Sequence, residues 1–489
     1  MKKHTNLCCV KSILFFCLLL LGNLLTSVSS YGQDETRSLA QLPIDEVLPS
    51  VFPILAQDFC DTTDAFLDTG RLGTSFAIHP AGFLVSSAHV FAEKRFATMI
   101  VSENEPVPVV LISCIPQYDL VFFRTRDKMD LKPIPVSLDD PAFDMPYFLI
   151  GNYKFFTSNY QSHGLTVGRG HLARIERTKF DTELCVFSAF LLFDIPVDAG
   201  GSGSPVCDSR GNLQAISLTA TGTHIKQCGA VPAQAIEKSC RENFNLQSLL
   251  GYTSGLDIET KKNGVYVSQV KPGSPAEKAE IKRNDRITFV GDWAVNNAVE
   301  FFFSEFAYVY DNKTIHLPMK IFPEGGDEER SLTLTLAPEK REKSEVDSNQ
   351  LKQGCEFTVF ADEGVTEPLA KGWTKSMNVH LPQKSHTQYE GYFNFPKDGS
   401  YCIYLNVDGT GKLAIDQSPF IEKSQAHPTM RVAKRAFFAK GYHSFKLELW
   451  TEKPSMEPFL YADTLEETSI IHERAKPLPN EWVHFLPGN

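Results

Sequence analysis

The sequence predicts a mostly-β protein of several units, and three features of the 489 residues carry that prediction. From about Phe59 to Ile236, short β-branched and aromatic runs alternate with Gly, Pro and Asn, and few stretches show a helical period. Thr74–Ile78, Val109–Ile112 and Phe148–Ile150 are examples, and together they favour a closed or double barrel of antiparallel strands. A different texture starts near Leu249: strand Val265–Val270, a turn at Lys271–Pro272–Gly273, a short helix opened by Pro275, and a half-buried strand alternating through Leu332, Leu334 and Leu336. After a charged stretch from Pro338 to Gln350, which reads as a solvated linker, alternating strands return at Tyr401–Leu405, Lys412–Ile415 and Phe445–Trp450. This third unit is all-β.

Length alone calls for two to four cores. Apolar residues make up 42% and charged residues 22%, values of a globular chain. The formal charge of −11 argues against nucleic acid as a partner. Lys2, Lys3 and Lys11 precede an almost wholly apolar run from Ser12 to Leu25, and Val28–Ser29–Ser30 offers small residues for cleavage, so residues 1–30 read as a secretory signal. The run is shorter than the roughly 20 residues a membrane span needs, which ranks an uncleaved anchor second. Export to the periplasm or beyond the cell is expected. Beyond the signal, Cys60, Cys114, Cys185, Cys207, Cys228, Cys240, Cys355 and Cys402 form an even set, so an exported chain is expected to hold disulfides, with pairing undetermined. No C-x-x-C stands beside histidines, which argues against a zinc site.

Three segments carry chemistry. Ser86–Ser87–Ala88–His89 follows an apolar strand, Tyr118–Asp119–Leu120–Val121 opens another, and Gly200–Gly201–Ser202–Gly203–Ser204–Pro205 reads as a tight turn. A serine hydroxyl needs a base to become a nucleophile, and an imidazole serves best when a carboxylate fixes its tautomer. His89, Asp119 and Ser202 are the catalytic candidates. His79 competes for the base, but Pro80–Ala81–Gly82 behind it reads as a hairpin turn. The N–H groups of Gly200 and Ser202 are the candidate oxyanion donors, each typically worth about 3–4 kcal/mol in a transition state. No cofactor or metal is needed for such chemistry.

These residues resemble a family. Gly73–Val90, Tyr118–Val121, Leu149–Asn152, Thr166–Gly170 and Asp194–Val206 are similar to the blocks of trypsin-like proteases of the HtrA/Deg type, over roughly residues 56–340. The resemblance implies a trypsin-like double β-barrel over 56–245, preceded by an N-terminal segment 31–55, and a serine endopeptidase acting on unfolded or misfolded proteins. By register with that fold, Pro196 lies near the base of the substrate pocket and Leu213–Thr219 form its wall. Two departures stand out: Gly201 takes the place of the usual Asn or Asp before the nucleophile, and Tyr153 that of a proline.

Residues 246–337 resemble the PDZ domain that follows such proteases, through Leu249–Tyr252, Gly264–Val270, Pro272–Ala279 and Ile281–Ile287. The match implies that Leu250, Gly251 and Tyr252 offer backbone N–H groups to a peptide C-terminus while the peptide adds to a strand edge. A small β-domain that only packs on its neighbour is the alternative. Residues 351–489, after a linker at 338–350, resemble the PA14 domain, a β-barrel module, through Tyr389–Tyr401, Gly411–Asp416 and Ala439–His443. Sugar-binding members hold calcium with paired aspartates; here the turn reads Asn406–Val407–Asp408–Gly409, and one acid is few for a hard cation. A docking role ranks above a glycan or another envelope protein as ligand. The family implies a homo-oligomer, commonly a trimer. A second reading of the chain stays open, resting on Gly201: a non-catalytic scaffold or chaperone that keeps the protease fold and binds peptide or glycan.

Overall fold

The structure is a computed structural model, and it describes residues 42–57, 71–91, 96–102, 105–115, 118–152, 165–176, 180–181, 186–187, 190–221, 227–338, 346–362, 364–375, 385–407, 409–423, 432–451, 459–464 and 482–486. The signal segment, Cys60, Tyr153, Cys185 and Asp408 lie outside the described residues. Among the described residues, no helix is long and apolar enough to cross a membrane.

Two closed six-stranded antiparallel barrels come first. The first uses β1 (Val51–Gln57), β2 (Arg71–His79), β3 (Phe83–Ser87), β4 (Phe96–Ser102), β5 (Glu105–Ile115) and β6 (Leu120–Thr125), and starts ahead of residue 56. Its strand order is β1-β2-β3-β6-β5-β4, with β4 closing on β1. The second uses β7 (Pro146–Asn152), β8 (Leu165–Glu176), β9 (Phe190–Pro196), β10 (Pro205–Asp208), β11 (Leu213–Thr221) and β12 (Gln227–Pro232), in the order β9-β12-β11-β10-β7-β8. Runs such as Phe83–Ser87 and Leu120–Thr125 are buried at every position, because in a barrel packed on a neighbour both strand faces are covered.

Helices α1 (Gln234–Asn243) and α2 (Leu246–Leu250) lead into a sheet of β13 (Leu256–Lys261), β14 (Gly264–Val270), β15 (Arg286–Val290), β16 (His316–Phe322) and β17 (Arg330–Thr335), flanked by α3 (Pro275–Lys278) and α4 (Ala298–Asn312). Ser274 caps α3 and Asn297 caps α4, each side chain accepting a backbone N–H three residues on. α4 is apolar nearly all round, and such a helix must be buried on more than one side. It is covered by its own sheet and by the first barrel. Phe303 packs on Phe83 and Phe244 with ring centroids 4.6 and 4.7 Å apart. His79 Nε2 meets Ser304 Oγ at 3.0 Å, and Arg124 donates to both carboxylate oxygens of Asp311 at 2.6 and 2.7 Å. One continuous apolar core therefore runs from Val47 to Leu336 through both units.

The third unit has its own core, built on stacked rings such as Phe393 on Phe445 and Phe395 on Phe438. Its described strands form an eight-stranded and a three-stranded sheet where the sequence reading has a barrel. The smaller sheet orders Val432–Phe438, Gly399–Asn406 and Phe459–Thr464, and it docks on the protein body. Buried Arg435 donates to Ser400 O and, across the interface, to Leu111 O of β5 at 3.1 Å. Cys402, Tyr404 and Ala433 pack against Leu111 and Cys114. No disulfide joins any two of the described cysteines Cys114, Cys207, Cys228, Cys240, Cys355 and Cys402, which corrects the expected framework for these six. Cys207, Cys228, Cys240 and Cys355 act as small apolar core residues, and burial pushes the Cys228 thiol up to about 12.

Glu305 on α4 is buried, with no hydrogen-bond partner for Oε1 among the described residues, and that burial raises its carboxyl from 4.5 to about 8. The folded chain holds this proton more tightly than the unfolded one, so stability is greatest below about 4.5 and declines as pH rises through about 8. Glu305→Gln is expected to stabilise the protein at pH 8 and to flatten that decline. Urea midpoints measured at pH 5 and pH 8 check it; an unchanged difference between the two pH values contradicts it.

Candidate active site

The two barrels meet along a seam, and the candidate residues sit on it. His89 lies in a 3-10 turn directly after β3, and Asp119 immediately precedes β6; β3 and β6 are paired, with Ser87 opposite Leu120. That pairing places the imidazole beside the carboxylate. Asp119 is buried and left-handed (φ 51°), a conformation that short polar residues tolerate at moderate strain. It holds residues 88 and 89 in three ways: its carbonyl accepts the Ala88 N–H at 2.8 Å, Oδ1 accepts the His89 N–H at 2.7 Å, and Oδ2 pairs with His89 Nδ1 at 2.6 Å.

Ser202 comes from the other barrel, on the turn before β10, with Oγ 2.9 Å from His89 Nε2. Asp198–Gly201 forms a β-turn closed by Gly201 N–H to Asp198 O at 2.9 Å, with Gly200 at φ 95° in its third position, a type II pattern that favours glycine. Gly203, at φ 86°, passes so close to Thr74 O and Ser86 Oγ that a Cβ there would overlap both. The N–H groups of Gly200 and Ser202 have no acceptor among the described residues. Thr74 N–H donates to Ser202 O at 2.9 Å and Ser87 Oγ donates to Ser217 O at 3.0 Å, tying the barrels together at the site.

Protonation follows from this geometry. Burial lowers the His89 pKa, but the charge of Asp119 and its hydrogen bond outweigh that and the opposing charge of Arg71, so the net shift is upward from 6.5. With Nδ1–H donated to Asp119, neutral Nε2 accepts the Ser202 proton. The same hydroxyl lies 3.0 Å from Leu218 O. When the imidazole is protonated, Nε2–H donates and the hydroxyl proton turns to that carbonyl. The cluster can therefore take a proton from Ser202 and hold it.

The other candidates fall elsewhere. His79 is not part of this cluster: its Nδ1 accepts the Ala81 N–H, its Nε2 faces Ser304, and burial with the nearby charge of Arg124 lowers its pKa to about 3. Pro196 is exposed at the end of β9, and Leu213–Thr219 lie in β11, whose Leu218 carbonyl faces Ser202. Leu250 ends α2, and Gly251 is its left-handed cap, with its N–H given to Leu246 O. Gly251 is buried against Phe437 of the third unit; a Cβ there would overlap the ring. Tyr252 begins a two-residue strand opposite Pro338. The buried Lys423 side chain donates to Val407 O. Among the described residues, no group of three His, Cys, Asp or Glu is placed to hold a metal. Thr74, which touches the Ser202 turn at two points, was not singled out from the sequence; its neighbours Gly73 and Ser75 give no local signal of that role.

Comparison with known proteins agrees with this architecture. Residues 73–216 match the trypsin-like peptidase domain, 254–302 the PDZ domain and 346–469 the PA14 domain. In chain order these are a trypsin-like peptidase, a PDZ and a PA14 region. It is 23% identical over 55% of its length to a probable periplasmic serine endoprotease DegP-like of Chlamydia pneumoniae, covering 56% of that protein. It is also 23% identical over 60% of its length to the periplasmic serine endoprotease DegP of Salmonella typhimurium, covering 62% of it. The chain thus spans little more than half the length of the curated relatives it matches. The solved serine endoprotease from Yersinia pestis is 18% identical, with a TM-score of 0.34, over 61% of this chain and 97% of that one. The trypsin-like match brackets His89, Asp119 and Ser202.

Within this site, Asp119→Asn is expected to remove the main upward influences on the imidazole and to lower its pKa. The His89 ring protons, followed by NMR against pH, check it: a wild-type midpoint above 6.5 that falls in the variant is expected, and an equal or higher midpoint in the variant contradicts it.

Proposed function

We propose that this chain is an exported serine endopeptidase in which His89, Asp119 and Ser202 act as a catalytic triad. The observation that carries the reading is the hydrogen-bonded line Ser202 Oγ–His89 Nε2 and His89 Nδ1–Asp119 Oδ2, at 2.9 and 2.6 Å. Ser202 Oγ attacks the scissile carbonyl while His89 takes its proton, and Asp119 stabilises the imidazolium that forms. The N–H groups of Gly200 and Ser202 receive the developing oxyanion, and His89 then protonates the leaving amine. Water, deprotonated in turn by His89, releases the acyl group from Ser202. The glycine-bearing turn already supports this geometry without a side chain at residue 201. The relatives are named periplasmic serine endoproteases, which supports a periplasmic location; unfolded or misfolded polypeptide substrates and assembly into a trimer extend this reading.

Full-length protein is expected to degrade reduced casein, with the rate rising with pH as His89 loses its proton. Ser202→Ala is expected to lower kcat by about 10⁶-fold and His89→Ala similarly, while both remain folded by circular dichroism. Casein cleavage that survives Ser202→Ala would overturn the assignment.

A second reading concerns the PDZ domain, and the contact of Gly251 with Phe437 favours it. Peptide capture by Leu250, Gly251 and Tyr252 requires the PA14 domain to withdraw, since Phe437 covers the turn, and then the α2 cap to open, since Leu246 O holds the Gly251 N–H. The PDZ domain of the resting chain is then a structural spacer, and the PA14 domain its cover rather than a glycan or calcium site. A fluorescent peptide with an apolar, free-carboxylate C-terminus is expected to bind the full-length Phe437→Ala variant about ten times more tightly than wild type. Equal anisotropy titrations for the two proteins would remove this reading.

A further inference from the structure

We propose that Thr74 is a positioning residue for the oxyanion turn, supplying from the first barrel the restraint that Gly201 has no side chain to supply. The inference rests on the serine-hydrolase reading above. Gly200–Gly201 is the most permissive backbone a chain can place at a site that needs fixed N–H directions. Something outside the turn must hold it.

Thr74 is placed to do so. It is fully buried on β2 and reaches across the seam between the barrels. Its backbone N–H donates to Ser202 O at 2.9 Å, on one side of the Gly201–Ser202 segment. Its hydroxyl donates to Gly200 O at 2.9 Å, on the other. The carbonyl can only accept, and the same Oγ1 is held in turn by the Asn152 N–H, which donates to it at 2.9 Å. An oxygen that accepts from Asn152 keeps its one proton for the Gly200 carbonyl. Thr74 O, in turn, accepts from Ser86 Oγ at 2.7 Å, three residues before His89. Thr74 therefore pins both carbonyl flanks of the segment that carries the candidate oxyanion donors, one through its backbone N–H and the other through its hydroxyl, and its own carbonyl is held from β3, the strand that leads into His89.

A weld between barrels would affect stability alone, whereas a positioning residue affects the charged transition state more than substrate binding. Thr74→Val keeps shape and branching and removes the donor; Thr74→Ser keeps the donor. In the full-length protein, Thr74→Val is expected to lower kcat on a peptide substrate by about 10- to 100-fold with KM within about twofold. Affinity for a peptidyl boronic acid, which forms a tetrahedral adduct on the serine, is expected to fall by a similar factor. The pH midpoint of the rate should not move, because Thr74 does not touch His89. Thr74→Ser is expected to recover most of the rate.

Three outcomes overturn the proposal: a folded Thr74→Val enzyme with wild-type kcat, a Thr74→Ser enzyme as impaired as Thr74→Val, or a Thr74→Val chain that does not fold, which would make the hydroxyl a requirement of the barrel seam. Wild-type protein that neither cleaves substrate nor takes the boronic acid would instead remove the hydrolase reading itself. An active wild type beside an equally active Thr74→Val removes this inference alone.

Discussion

The seam between the two barrels is the constraint on which the site depends. His89 and Asp119 belong to one barrel and Ser202 to the other, so no local sequence can hold them together. Hydrogen bonds across the seam do it: Thr74 to Ser202 O and Gly200 O, and Ser87 Oγ to Ser217 O. Each is modest alone, about 1 kcal/mol net, but with Thr74, Ser87 and Ser217 fully buried they leave the turn few alternatives. The close approach at Gly203 is the complement of this. The chain there runs against Thr74 O and Ser86 Oγ with no space for a side chain.

A second constraint stacks on the first. α4 carries Phe301, Phe302, Phe303 and Phe306, too much apolar surface for a helix covered only by its own sheet. Burying it on the first barrel fuses the PDZ domain to the barrel core and turns His79, lying at the far end of β2 from Thr74, into a neutral hydrogen-bonding partner of Ser304. The smaller PA14 sheet then covers both β5 and the α2 cap, through Arg435 on Leu111 O and Phe437 on Gly251. The PDZ domain is held between two neighbours.

Much of this was legible in the sequence, for identifiable reasons. The barrels announce themselves through short runs punctuated by Gly and Pro, and the order His, Asp, Ser in strand and turn settings points to the cluster before any coordinates do. His79 could be set aside because a hairpin turn follows it. What the sequence could not carry was partnership between distant segments. Nothing around Thr74 signals a bond to residue 200, and nothing around Phe437 signals contact with residue 251. The even cysteine set pointed to disulfides, yet the described thiols Cys207, Cys228, Cys240 and Cys355 are buried in apolar cores without pairing to one another. Counting cysteines does not reveal which of them face one another. The concentration of phenylalanine in α4 was the one readable sign that the PDZ helix is docked.

The central claim, that one hydroxyl is activated by one imidazole across the barrel seam, is tested most directly by mapping where a phosphonylating probe attaches. Full-length protein treated with a fluorophosphonate and digested should carry a single phosphonyl adduct, on Ser202, and its rate of formation should rise with pH through a midpoint above 6.5. A folded protein that takes no adduct at Ser202, or takes it there at a rate indifferent to the loss of His89, would contradict the account.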